Sequence, residues 1–95
     1  VDVLTAANRP DGIALLDVRE QAEWSSGHAP GAIHQRLGAV DPESLRDYDA
    51  IYVMCRSGNR SATATRRLRD AGIDAHNVTG GIIAWAEARL PADFS

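Results

Sequence analysis

Two short apolar runs do most to limit what this chain can fold into. They are Ile13-Ala-Leu-Leu-Asp-Val18, bounded by Asp11-Gly12 and Arg19-Glu20, and Ile51-Tyr-Val-Met-Cys55. Short apolar runs bounded by turn and charged residues read as buried strands. Ala32-Ile33-His34 and His76-Asn-Val-Thr79 are weaker strand candidates, and Val1 to Leu4 reads as a short edge strand.

Helical segments fall between these strands. Glu20 to Ser26 is short and stops at Gly27. Pro42 to Asp47 follows Asp41, an N-cap residue with Pro in the first turn behind it. Ser61 to Ala71 carries an apolar face of Ala64, Leu68 and Ala71, and Gly72 closes it. Gly81 to Ala88 is the last helix, with Pro91 beyond it. Strands alternating with helices predict an α/β fold, a mainly parallel sheet with helices on both faces. Ligands of such sheets bind beyond the carboxyl ends of the strands, and Cys55 sits at such an end.

The chain has 95 residues, enough for one domain over residues 1–95. Val1 stands where an initiating Met would be, so a trimmed chain or a domain excised from something longer is expected. No apolar run approaches the roughly 18 residues of a membrane span, and no secretory leader pattern opens the chain. No membrane partner and a cytoplasmic location are therefore expected. Net charge is −3, with 13 acidic residues against 10 basic ones. That gives no general attraction to nucleic acid. All 10 basic residues are Arg, so lysine chemistry is excluded. The single cysteine, Cys55, excludes an internal disulfide. His28, His34 and His76 lie far apart and lack helical ligand spacing, so no metal is expected.

The central feature is Cys55-Arg56-Ser57-Gly58-Asn59-Arg60-Ser61, which joins a buried strand to the best helix. Backbone N–H groups in a tight loop can converge into a nest for an anion. The N-terminus of the following helix adds positive potential there. Arg56 and Arg60 strengthen it, while Gly58 and Asn59 tolerate the left-handed conformations a closed loop needs. A thiol at the focus of these dipoles loses its proton readily and becomes a nucleophile.

Cys-Arg-Ser-Gly-Asn-Arg-Ser resembles the active-site loop of rhodanese-like sulfurtransferases. Leu16-Asp17-Val18-Arg19 with Glu23-Trp24, Gly27-His28-Ala29-Pro30-Gly31-Ala32, and Val78-Thr79-Gly80-Gly81 with Trp85 resemble three further motifs of that family, in the same order. The resemblance implies a five-stranded parallel sheet flanked by helices. It implies sulfane-sulfur transfer in two steps. Cys55 attacks a small anionic donor such as thiosulfate and becomes a persulfide; a thiol, cyanide or protein acceptor then removes the sulfur. It implies no cofactor. Carried over by position, Cys55 is the nucleophile and Arg56, Ser57, Gly58, Asn59 and Arg60 form the substrate cradle. Arg60 is expected to meet the donor's anionic group, with Arg56 at the rim. Four residues separate Cys55 from Arg60, one fewer than in the related phosphatases and arsenate reductases, so a cradle for sulfur rather than for phosphate is expected. Ala29 and the stretch His34-Gln35-Arg36-Leu37 depart from the family pattern. A protein-docking module that relays or senses persulfide, with little turnover of small molecules, is the alternative.

Asp17, Arg19 and Ser61 are candidates for supporting the cysteine loop from behind. For Asp17 and Arg19 the competing reading, an ion pair tying Arg19 to an acid such as Glu23, is favoured. His28 reads as stabilising a turn, and Trp24 and Trp85 as packing. Arg66, Arg67 and Arg69 read as a solvated helix face, since no aromatic residues are interleaved with them.

Overall fold

The computed structural model describes residues 1–94. The order of elements is α1 (Val3–Ala7), β1 (Ile13–Asp17), α2 (Gln21–Ser25), β2 (Ile33–His34), β3 (Ala50–Met54), α3 (Asn59–Asp70), β4 (Ala75–Asn77) and α4 (Gly81–Glu87). Two 3₁₀ turns, Leu37–Ala39 and Pro42–Leu45, lie between β2 and β3. The second starts as expected, with the Asp41 carboxylate accepting from the Glu43 N–H at 3.1 Å. The four strands are all parallel, in the order β2-β1-β3-β4.

β1 and β3 form the centre, aligned from Ile13 opposite Ala50 to Asp17 opposite Met54. Their side chains alternate between two cores. Leu16, Val18, Ile51 and Val53 face Ala64 and Leu68 of α3. Leu15 and Met54 face Val3 and Ala6 of α1 and Trp85 of α4. Burial on both faces is what makes these strands apolar up to Asp17 at the end of β1.

The sheet has four strands where five were expected. Val1 to Leu4 does not form an edge strand, because Asp2 caps a helix instead: its carboxylate accepts from the Thr5 N–H at 2.8 Å. Val3 and Ala6, three residues apart, then bury one face of that helix. Val1 alone lies along β4. Its nitrogen donates to the Asn77 carbonyl at 2.9 Å and its carbonyl accepts from the Thr79 N–H at 2.8 Å. Among the described residues no helix is long and apolar enough to cross a membrane.

Candidate active site

β3 ends at Met54, and the chain turns through Cys55–Gly58 into α3. Gly58 is the N-cap of α3, with φ of +116°, a conformation open to glycine. Asn59 needs no such freedom, contrary to expectation: it is already the first residue of α3, so the left-handed step falls on Gly58 alone. The Gly58 N–H points back to Cys55 Sγ at 3.1 Å. The Ser61 hydroxyl lies 3.3 Å from the same sulfur.

Cys55 is buried, at 1% exposure. Burial pushes its thiol up. The Ser61 hydroxyl and the backbone N–H groups of Ser61, Gly58 and Ser57 outweigh that, so the thiol sits below its ordinary value. Arg56 and Ser57 are exposed at the rim.

The other wall of the loop is the start of α4. The Ile82 N–H donates to the Cys55 carbonyl at 2.9 Å and the Ile83 N–H to the Arg56 carbonyl at 3.1 Å. Such an approach leaves no room for a side chain at Gly81, whose φ is +54°. A Cβ there would collide with the Cys55 carbonyl oxygen and lie 2.6 Å from the Arg56 carbonyl oxygen. This is the physical reason for Gly81, while Gly80, with φ of +84°, would bring its own Cβ against Ala84.

Asn77 was not picked out from the sequence. From the end of β4 its amide nitrogen donates to the Gly58 carbonyl at 3.1 Å, and its amide oxygen lies 2.6 Å from the Ser61 hydroxyl, which shares its one proton between this oxygen and Cys55 Sγ. It therefore clamps both residues that touch the sulfur. Its place at the carboxyl end of β4, beside the cysteine loop, is hidden when the strand is read as His76 to Thr79 and not as Ala75 to Asn77. Asn77→Ala should lower stability by about 1–3 kcal/mol, the usual effect of stranding partly buried hydrogen-bond partners. Urea denaturation of the two proteins measures it.

Asp17 and Arg19 pair with each other. Arg19 Nη2 and Nε lie 2.8 and 2.9 Å from Asp17 Oδ2, with both side chains buried. Nη1 donates to the Glu23 carbonyl at 3.1 Å, and Nη2 also donates to the Gly27 carbonyl at 2.8 Å. The pair thus ties α2 to the end of β1, as the favoured structural reading has it, but through Asp17 and backbone rather than the Glu23 carboxylate. His28 and His34 stack on the two faces of Trp24, at 3.6 and 4.7 Å between ring centroids.

Held in this way, α2 presents Glu23 to the cysteine loop. Arg60, expected to face a donor anion, gives both terminal nitrogens to Glu23, at 2.7 and 2.8 Å. Glu23 also accepts the Glu20 N–H at 3.0 Å. The Arg60 hydrogen bonds hold the Glu23 carboxyl down to about 2, against some burial and with help from the Glu20 N–H and the charges of Arg60 and Arg19. The unfolded chain takes up this proton near the ordinary 4.5, the folded one only near 2. The pair's stabilisation is therefore complete above about 4.5 and is lost as pH falls towards 2. Urea midpoints across that window should fall less steeply for Glu23→Gln than for the unaltered protein.

With this geometry in place, the comparisons with known proteins agree with one another. Residues 2–88 match the family model of the Rhodanese-like domain. The chain is 43% identical over 80 residues to "Putative sulfurtransferase YtwF" of Bacillus subtilis (strain 168), covering 81% of this chain and 77% of that protein. It is 37% identical over 78 residues to "Putative sulfur carrier protein YrkF" of the same organism, covering 79% of this chain but only 42% of that longer protein. Among solved structures, a rhodanese-related protein from Thermoplasma volcanium superposes with a TM-score of 0.84 at 27% identity, covering 100% of this chain and 97% of the other.

Proposed function

This chain belongs to the rhodanese-like domain family, and we propose that it is a sulfurtransferase whose Cys55 carries sulfane sulfur as a persulfide. The carrying observation is the sulfur's setting: buried at the end of β3, with the Gly58 N–H and the Ser61 hydroxyl directed at it. Those donors favour the thiolate, which is the attacking form.

The transfer balances without a cofactor. The Cys55 thiolate attacks the terminal sulfur of a donor such as thiosulfate. The new S–S bond forms as the donor's own S–S bond breaks, and sulfite leaves with the electron pair. A thiol, cyanide or protein acceptor then takes the outer sulfur and returns the thiolate. Residues Arg56 to Arg60 form the cradle in this reading, with Ser61, Asn77, Asp17 and Arg19 behind it.

A sulfur so little exposed admits one donor atom at a time. Sulfane sulfur is such a terminal atom, whereas the phosphorus of an ester is enclosed by four oxygens. The four residues between Cys55 and Arg60 favour the same choice. The protein should therefore convert cyanide and a sulfane donor to thiocyanate while leaving p-nitrophenyl phosphate intact. Phosphate release that disappears in Cys55→Ser, without thiocyanate formation, would reverse the assignment.

A relay between proteins is the second reading, favoured by the likeness to a protein whose name calls it a sulfur carrier. It keeps the persulfide and replaces the small acceptor by a protein thiol. Stoichiometric transfer to a protein thiol, with slow thiocyanate turnover, would select it.

A further inference from the structure

One of the two cations at the cysteine loop is already occupied. Arg60 lies in the first turn of α3, between Gly58 and Ser61, the two residues that touch Cys55 Sγ. Both of its terminal nitrogens bond the two oxygens of Glu23. The Glu23 carboxylate is itself fixed, since the Glu20 N–H also donates to it and Arg19 anchors α2 through the Glu23 and Gly27 carbonyls. It cannot swing aside without breaking several bonds. The charge of Cys55 is among those that hold Arg60 protonated, so the sulfur, Arg60 and Glu23 share one electrostatic neighbourhood. Glu20 adds a further negative charge acting on Arg60. Around the reacting sulfur, one arginine is thus neutralised by a carboxylate, and Arg56 stands exposed at the rim.

We propose that Glu23 sets the charge of the donors this protein accepts, favouring singly charged sulfane donors over doubly charged thiosulfate. This selectivity presupposes the sulfur transfer proposed above. A thiosulfate dianion approaching the thiolate brings two negative charges to a place where Arg60 is already paired with Glu23. A thiosulfonate anion, such as methanethiosulfonate, offers the same terminal sulfur on a sulfonyl group with one charge fewer. In its transfer the donor's S–S bond breaks, the new S–S bond to Cys55 forms, and methanesulfinate leaves with the electron pair. The two donors differ chiefly in charge, so the ratio of their rates reports the field that Glu23 contributes.

The test is single-turnover persulfidation of Cys55 by each donor, followed by intact-mass measurement. Glu23→Gln keeps an oxygen for the Glu20 N–H and removes the charge. It should raise the thiosulfate-to-methanethiosulfonate rate ratio on the order of tenfold at low salt. At about 1 M salt, where the screening length is only ~3 Å, that gain should shrink. Arg60→Met leaves the Glu23 charge uncompensated and should move the ratio below that of the unaltered protein. Because each ratio is taken within one protein, a variant that folds less well changes both rates and leaves the ratio informative. A ratio unchanged or lowered in Glu23→Gln overturns the assignment of selectivity while sulfur transfer stands. If neither donor loads sulfur onto the unaltered protein, sulfur transfer fails and the selectivity with it.

Discussion

Cys55→Ser is expected to abolish thiocyanate formation, with a loss of at least about 10³-fold, or roughly 4 kcal/mol of barrier. A serine hydroxyl is not ionised at neutral pH. The donors directed at Sγ favour the thiolate of a cysteine, whereas an alcohol in the same place stays protonated. An Oγ at this place can still accept the Gly58 N–H, so the fold should survive the change and the loss should be one of chemistry. Steady-state rates beside a denaturation curve separate the two. A folded Cys55→Ser protein that retains turnover would mean that the reacting group is not this sulfur.

Gly81→Ala is the second large effect, and it acts through backbone alone. The new Cβ would press on the carbonyls of Cys55 and Arg56, which cannot yield without moving the loop. A φ of +54° adds roughly 1–2 kcal/mol for a residue with a Cβ. Overpacking adds about 1–3 kcal/mol more. Together they should lower stability by roughly 2–5 kcal/mol and displace the loop that aims donors at the sulfur. Gly72→Ala is the matched comparison: its φ is +85°, but nothing lies within 4 Å of its added Cβ. It should lose only the conformational part, about 1–2 kcal/mol, and keep its thiocyanate rate. Equal losses at both positions would show that the close approach of α4 to the loop contributes nothing.

Of these two residues Cys55 was legible in the sequence as a nucleophile, whereas Gly81 stood there only as part of a motif resembling the family's. Ile13–Val18, but for Asp17, and Ile51–Cys55 are apolar because the sheet is covered on both faces, and that placed Cys55 at a strand's carboxyl end. Gly58 carries a left-handed φ as its position in a closed loop suggested. What stayed hidden were contacts between residues far apart in sequence. Asn77 meets Gly58 and Ser61 only because β4 lies beside β3. Glu23 reads locally as a partner for Arg19, four residues away, yet its carboxylate meets Arg60, thirty-seven residues away. Sequence spacing cannot rank such partners; the anchoring of α2 by Arg19 decides it. The missed helix α1 is a local matter. Val1 to Leu4 has three apolar residues in four, which suggest a strand, whereas in the fold the Asp2 cap and the buried pair Val3 and Ala6 prevail.

The central claim is that Cys55 accepts sulfur from a donor and holds it. Intact-mass measurement after exposure to methanethiosulfonate or thiosulfate tests this directly. The expected result is a gain of one sulfur atom per chain, absent in Cys55→Ser and removed by cyanide. With one cysteine in the chain, no second thiol can resolve the persulfide internally, so the loaded form should persist long enough to be weighed. No gain from either donor, or an equal gain in Cys55→Ser, would contradict it.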